Sequence, residues 1–168
     1  MLLQWLDKIS NLHNPLRPPG AVDEDEFLRK CIRCRKCEEA CPYFSIKMAH
    51  DKWGLKMGTP FIVPQEIPCY LCEDFPCVNV CPTEALEPLT SKEEVRMGLA
   101  VIDTDICFAY HGIICRACYE RCPIYNEAIT LRDQLYPEVH KDHCVGCGIC
   151  EHVCPTEPKS VIVISAHE

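Results

Sequence analysis

A chain of 168 residues has room for one domain or two small ones. Sixteen of them are cysteine, against only 7 glycines and 14 prolines, which excludes a collagenous or flexible low-complexity chain and leaves a disulfide scaffold or a metal protein. Seventeen basic against 25 acidic residues give a net charge of −8, which excludes a global nucleic-acid footprint, and cysteine inflates the 48% hydrophobic share, so the aliphatic core is thin and needs covalent or metallic support.

In chain order, residues 1–20 come first. Leu2, Trp5 or Leu6, Ile9 and Leu12 recur at helical spacing, and Pro15, Pro18, Pro19 and Gly20 stop the pattern. The expectation is an amphipathic helix followed by a proline-rich strap. The helix either packs on its own chain or docks a partner subunit. No basic leader, twin arginine or apolar run of about 20 residues is visible, so no transmembrane segment is expected and the compartment reads as cytoplasmic. There disulfides are disfavoured and clustered cysteines serve as metal ligands.

The cysteine spacing decides the class. Cys31, Cys34, Cys37 and Cys41 read C-x2-C-x2-C-x3-C before Pro42, and Cys144, Cys147, Cys150 and Cys154 repeat this before Pro155. Cys69, Cys72, Cys77 and Cys81 carry two extra residues in the middle gap before Pro82, and Cys107, Cys115, Cys118 and Cys122 carry five extra in the first gap before Pro123. The first cysteines lie 38, 38 and 37 residues apart, an internal repeat that uses all sixteen. In the bacterial ferredoxin run, three close cysteines wrap one iron–sulfur cube and the fourth, before proline, reaches a second cube. Zinc is the rival, but its ribbons pair two C-x2-C knuckles and need neither a third nearby cysteine nor a terminal Cys-Pro. The expected cofactors are four [4Fe–4S] clusters.

Extended segments bracket the groups. Phe61–Val63, Leu99–Ile102 and Pro137–Val139 precede three of them, and Ala85-Leu86, Ala128–Leu131 and Val161–Ile164 follow three Cys-Pro pairs. Strand, cysteine loop, short helix and strand form half of a bacterial ferredoxin. The fold class is therefore α+β: two ferredoxin-like units, stabilised by their clusters, with an N-terminal helix and strap. Groups one and four share the unexpanded spacing, and matching halves should pair. This predicts a nested order: residues 1–20 as helix and strap, 21–66 with 138–168 as an outer unit, and 67–137 as an inner one. Cys31, Cys34, Cys37 and Cys154 would then hold one cluster, and Cys144, Cys147, Cys150 and Cys41 its neighbour. Cys69, Cys72, Cys77 and Cys122 would hold the third, and Cys107, Cys115, Cys118 and Cys81 the fourth. Sequential pairing, one with two and three with four, is the rival, supported by short connections.

The remaining features are secondary. Residues 47–68 read as a surface hairpin, Ser91–Glu94 as a capping box opening a short helix, and Phe108–Ile114 as a bulky loop that either covers a cluster or passes electrons. Arg33, Arg35, Lys36 and Arg116 lie near ligand cysteines, where they either offset cluster charge or form solvated surface. None of the seven histidines sits in a motif, and no nucleophile–base pair, P-loop or dinucleotide fingerprint is present, so no catalytic residue is expected.

The runs Arg17–Pro42, Ile67–Pro82 and Arg96–Cys107 resemble the NapG/MauM type of four-cluster ferredoxin, including the expanded gaps, and the likeness extends from Arg17 to Ile164. It implies cluster ligation by all sixteen cysteines and electron relay to a respiratory enzyme. The chain is also similar in size and cysteine layout to the iron–sulfur subunits of cytoplasmic tungsten or molybdenum oxidoreductases such as aldehyde oxidoreductase. The function expected is a non-catalytic electron-transfer subunit. Its partners would be a catalytic oxidoreductase subunit and a second redox protein, with self-association left open and no nucleic acid. The alternatives are a nitrate-reductase-type ferredoxin and a maturation chaperone of a molybdoenzyme.

Overall fold

The computed structural model describes residues 15–166. The amphipathic helix expected over residues 2–12 lies outside them. Residues 15–19, in the proline-rich stretch, are buried. Leu16 forms an antiparallel bridge with Ile62 and Ala21 one with Leu86, so the proline run is stitched into the body of the chain. Arg17, in its middle, is 0% exposed. Its guanidinium donates through Nε and Nη2 to the Glu24 carboxylate at 2.8 and 2.6 Å, and through Nη1 to Thr59 Oγ1 and the Pro60 carbonyl at 2.8 and 2.7 Å. The same group lies 4.5 Å over the Phe27 ring. A planar, five-donor cation can satisfy all of these at once, which is how a full charge is buried here.

Helix α1 (Glu24–Lys30) follows, with three acids in its first turn and Arg29 and Lys30 in its last, the arrangement that complements a helix dipole. It buries Phe27. Four further short helices, α2 (Lys36–Ala40), α3 (Pro76–Asn79), α4 (Ala117–Glu120) and α5 (Ile149–Val153), each run up to a Cys-Pro pair, as expected. Strands β1 (Ile46–Met48) and β2 (Pro60–Ile62) pair antiparallel across a 3-10 turn at Asp51–Lys56, a hairpin in the stretch expected, 47–68, but with Ile46 and Ile62 buried in the core and not lying on the surface. β3 (Gly98–Ile102) pairs along its whole length with β6 (Val161–Ser165), and β4 (Ile129–Arg132) pairs with β5 (Tyr136–Val139). Of the six expected strand segments, Ala85-Leu86 contributes only the single bridge to Ala21. At Ser91 no side-chain cap forms. A 3-10 turn spans Lys92–Glu94 instead, and the Glu94 carboxylate accepts from the Thr90 N–H and hydroxyl at 2.8 and 2.7 Å.

The strand pairing groups the chain differently from the nested division. A first unit closes through the Ala21–Leu86 bridge and holds the β1–β2 hairpin; a second closes through β3–β6 and holds the β4–β5 hairpin. Each unit therefore contains two consecutive cysteine groups. Residues 138–168 do not join 21–66 around an inner 67–137; they complete the unit that β3 begins. Short connections keep sequence neighbours together in space, and the extra residues in groups two and three are taken up within their own loops, with Phe75 and Ala109 buried. Phe108–His111, within the larger expansion, is a 3-10 turn whose Phe108 and His111 are exposed.

Close backbone approach locks the second unit. At Gly146, φ is +71° and a Cβ would lie 2.2 Å from the Gly98 nitrogen; at Gly148, φ is +86° and a Cβ would lie 2.6 Å from Pro64 Cβ, across the junction between units. Replacing Gly146 by alanine should cost more than the roughly 1–2 kcal/mol of left-handed strain alone, because the Gly98 backbone must also move. A thermal melt followed by circular dichroism should show a lower midpoint, and an unchanged midpoint would contradict this contact. Among the described residues no helix is long and apolar enough to cross a membrane.

Candidate iron–sulfur centres

Four cavities are each bounded by four cysteines. Site I is formed by Cys31, Cys34, Cys37 and Cys81, and site II by Cys69, Cys72, Cys77 and Cys41. Site III is formed by Cys107, Cys115, Cys118 and Cys154, and site IV by Cys144, Cys147, Cys150 and Cys122. All sixteen predicted residues thus line a site, and all sixteen are free of disulfides. At every site the cavity groups the fourth cysteine differently from the nested expectation. Cys154 joins Cys107, Cys115 and Cys118 rather than Cys31, Cys34 and Cys37, and Cys41 joins group two rather than group four. Likewise Cys81 joins group one, and Cys122 joins group four. The fourth cysteine does cross to its unit partner, but that partner is the adjacent group in sequence.

The loops reach this arrangement through left-handed backbone. Arg33 and Arg35 in group one have φ of 58° and 64°, Leu71 and Phe75 in group two 50° and 40°, and Gly146 and Gly148 carry the same turn in group four. Such residues curl successive backbone N–H groups toward one side, an anion-binding concavity that suits a negatively charged cluster. Non-glycine residues there cost about 1–3 kcal/mol each, a strain that persists only where the surroundings over-determine it.

Apart from Cys34, which is exposed, the sixteen cysteines are buried or half-buried. Burial pushes Cys37, Cys69, Cys77, Cys118 and Cys147 up to about 12. It pushes Cys150 well up too, with Cys147 and Cys144 adding to the effect. Left bare, these groups stay protonated near neutral pH; a positive metal reverses the balance and makes them thiolate ligands. Cys81 and Cys154 run the other way. Burial raises both, but hydrogen bonds outweigh it: backbone around Leu86 and Thr83 at Cys81, and the Ser160 and Thr156 hydroxyls at Cys154. Among the described residues no three His, Cys, Asp or Glu side chains converge closely enough to hold a single ion. A lone zinc needs four ligands within about 2.3 Å of one point. Four thiols standing around a cavity suit a cluster of several irons, with one iron for each sulfur ligand.

The two units meet at these centres. The Cys69 N–H of site II donates to the Cys147 carbonyl of site IV at 3.0 Å. Buried Glu151, beside Cys150, accepts from Gln65 of the first unit at 3.0 Å and from the Val163 N–H of β6 at 2.7 Å. Burial raises the Glu151 carboxyl. Three of the basic residues near these cysteines bond to groups of the chain. Arg33 donates to the Met57 and Leu55 carbonyls at 2.9 and 3.2 Å, Arg35 pairs with Glu38 at 2.7 Å, and Arg116 donates to the Gln134 carbonyl at 2.9 Å. Among the described residues no histidine lines the four sites; His140 meets Thr130 Oγ1 at 2.7 Å and His111 the Asp105 carbonyl at 2.8 Å. A larger cavity of about 540 Å³ runs between the units, past Phe61, Val101 and Ile164, and carries no cysteine.

Residue-by-residue sequence reasoning passed over Thr156 and Ser160. A signal was present: Cys81 and Cys154 are followed by Pro-Thr, whereas Cys41 and Cys122 are followed by Pro-Tyr and Pro-Ile.

The profile of the 4Fe-4S dicluster domain matches residues 30–85 and, in a second version, residues 100–162. These spans coincide with the two units defined by strand pairing. The chain is 44% identical over 161 residues to the ferredoxin-type protein NapG of Escherichia coli K12, covering 89% of this chain and 70% of the relative. It is 45% identical over 148 residues to the methylamine utilization ferredoxin-type protein MauM of Methylorubrum extorquens, covering 83% and 67%. The chain belongs to the NapG/MauM family of ferredoxin-type proteins. The ferredoxin-type protein NapF of Escherichia coli is more distant, 28% identical over 158 residues. Membership makes this NapG/MauM-type chain an electron-transfer protein with two 4Fe-4S dicluster domains, an electron carrier and not a catalytic enzyme.

Proposed function

We propose that sites I–IV each hold one [4Fe–4S] cluster, ligated by the four cysteines that line it, and that the chain relays electrons between a catalytic oxidoreductase subunit and a second redox protein. The observation that carries this reading is the grouping of all sixteen cysteines into four cavities of four. A bound cluster of this kind takes up and releases single electrons. The protein's part is to fix the spacing, exclude water and supply hydrogen bonds to the sulfurs. Its own residues suggest the order I, II, IV, III, because the Cys69–Cys147 contact joins II to IV across the junction while I and III lie at the outer ends of their units. Anaerobically isolated protein should contain about sixteen iron and about sixteen acid-labile sulfide per chain. Stoichiometric zinc with little sulfide would overturn the assignment.

The partner enzyme is proposed by class only. The likeness to NapG supports a nitrate-reductase-type ferredoxin, and a tungsten or molybdenum aldehyde oxidoreductase is the competing partner class. Native purification with mass identification of the associated proteins tests both. A relay subunit should accompany the mature enzyme and bleach in its visible absorbance when the enzyme's substrate is added. A maturation chaperone would bind the cofactor-free enzyme and leave before the substrate is turned over.

A further inference from the structure

Cys154 is the one ligand cysteine among the described residues whose sulfur has two side-chain hydroxyls at close range. Thr156 Oγ1 and Ser160 Oγ each lie 3.2 Å from its Sγ. Both residues are buried, at 5% and 2% exposure, so water does not compete for these groups. The Ser160 N–H donates to Thr156 Oγ1 at 2.7 Å, which occupies an acceptor position and leaves the threonine proton for the sulfur. Beside them the Lys159 ammonium donates to the Cys154 carbonyl at 2.6 Å. An iron-bound sulfur carries no proton, so in the loaded protein the hydroxyls must be the donors. The same position in the first unit is built differently. Thr83 Oγ1 is 3.9 Å from Cys81 Sγ, and the residue six beyond Cys81 is Glu87, where Ser160 stands six beyond Cys154.

Resting on the cluster assignment above, we propose that Thr156 and Ser160 are tuning residues that raise the reduction potential of the site III cluster. Adding an electron makes a thiolate-ligated cluster more negative, and burial of Cys107, Cys118 and Cys154 opposes that added charge. Donors aimed at a ligand sulfur stabilise the reduced form and offset the burial. The pair thus keeps a buried terminal cluster reducible without opening it to solvent.

The test is a potentiometric titration of the holo-protein, followed by electron paramagnetic resonance, on Ser160→Ala, Thr156→Val and the conservative Thr156→Ser. Ser160→Ala should lower one of the four midpoints and leave three in place. The double variant Thr156→Val with Ser160→Ala should lower the same midpoint by about 59 mV or more, a tenfold change in the one-electron equilibrium, while Thr156→Ser restores most of the single loss. The midpoint that moves should be the one abolished by Cys115→Ser. An unchanged set of midpoints in Ser160→Ala with full iron content, or an equal fall of all four, would overturn the proposal. Should Thr156→Val lose iron through its bond to the Ser160 N–H, Ser160→Ala alone decides. Wild-type protein without iron and sulfide would instead refute the cluster assignment itself.

Discussion

Combining Cys154→Ser with Cys115→Ser should damage no more of the protein's iron than either change alone, because both remove ligands from site III. Each single variant should lose or degrade one cluster, a deficit of up to about four iron from about sixteen. Combining Cys154→Ser with Cys34→Ser should instead damage two clusters, since Cys34 lines site I. Two changes at one shared centre are strongly non-additive, while changes at separate centres add. Iron and sulfide analysis with resonance spectra of the three singles and two doubles reads this directly. A nested wiring would reverse the two doubles: Cys34 with Cys154 would behave as one site and Cys115 with Cys154 as two. That result would contradict the cavities, in which Cys154 stands with Cys107, Cys115 and Cys118.

Replacing Arg17 by alanine should be the most damaging single change away from the cysteines. It strands the buried Glu24 carboxylate with Lys56 at 3.3 Å as its remaining ion-pair partner, and removes the donors to Thr59 and the Pro60 carbonyl. Breaking a buried pair in this way costs about 3–5 kcal/mol. At about 2–4 °C per kcal/mol for a chain of this size, the thermal midpoint should fall by about 6–20 °C. Arg17→Lys should recover only part, since a point charge cannot reproduce the two-pronged contact with Glu24 and the stacking on Phe27. The pair also makes stability depend on pH. Burial raises the Glu24 carboxyl, but Arg17 and Lys56 together hold it below the ordinary carboxylate range. A depressed folded value means the stabilisation is present above the unfolded carboxylate pKa of about 4.3 and is lost as pH falls through the folded value. Acid unfolding of the wild type should therefore include a loss below pH ~4.3 that is reduced in Arg17→Ala. Equal acid sensitivity of the two proteins would show that the pair does not carry it.

Cysteine spacing by itself determined the class of protein. Ligand sets for iron–sulfur clusters are local: three sulfurs come from one short loop, so C-x2-C-x2-C-x3-C-P is legible without tertiary structure. The strands at Leu99–Ile102 and Val161–Ile164 were legible for the same reason, as short apolar runs between turns. Which fourth cysteine completes which site is not local. Gap length suggested that like groups pair, yet each expansion is accommodated within its own loop, and the Ala21–Leu86 bridge and the β3–β6 ladder close each unit around neighbouring groups. Arg17 is likewise silent in the sequence. Its burial depends on Glu24, Thr59 and Pro60 arriving from three places, and a lone arginine in a proline-rich strap reads as solvated. The hydroxyls on Cys154 lie between these cases. The Pro-Thr that follows the cysteine is written in the chain, but only the fold turns Ser160 back onto the same sulfur, and a hydrogen bond needs a distance and an angle that spacing alone does not supply.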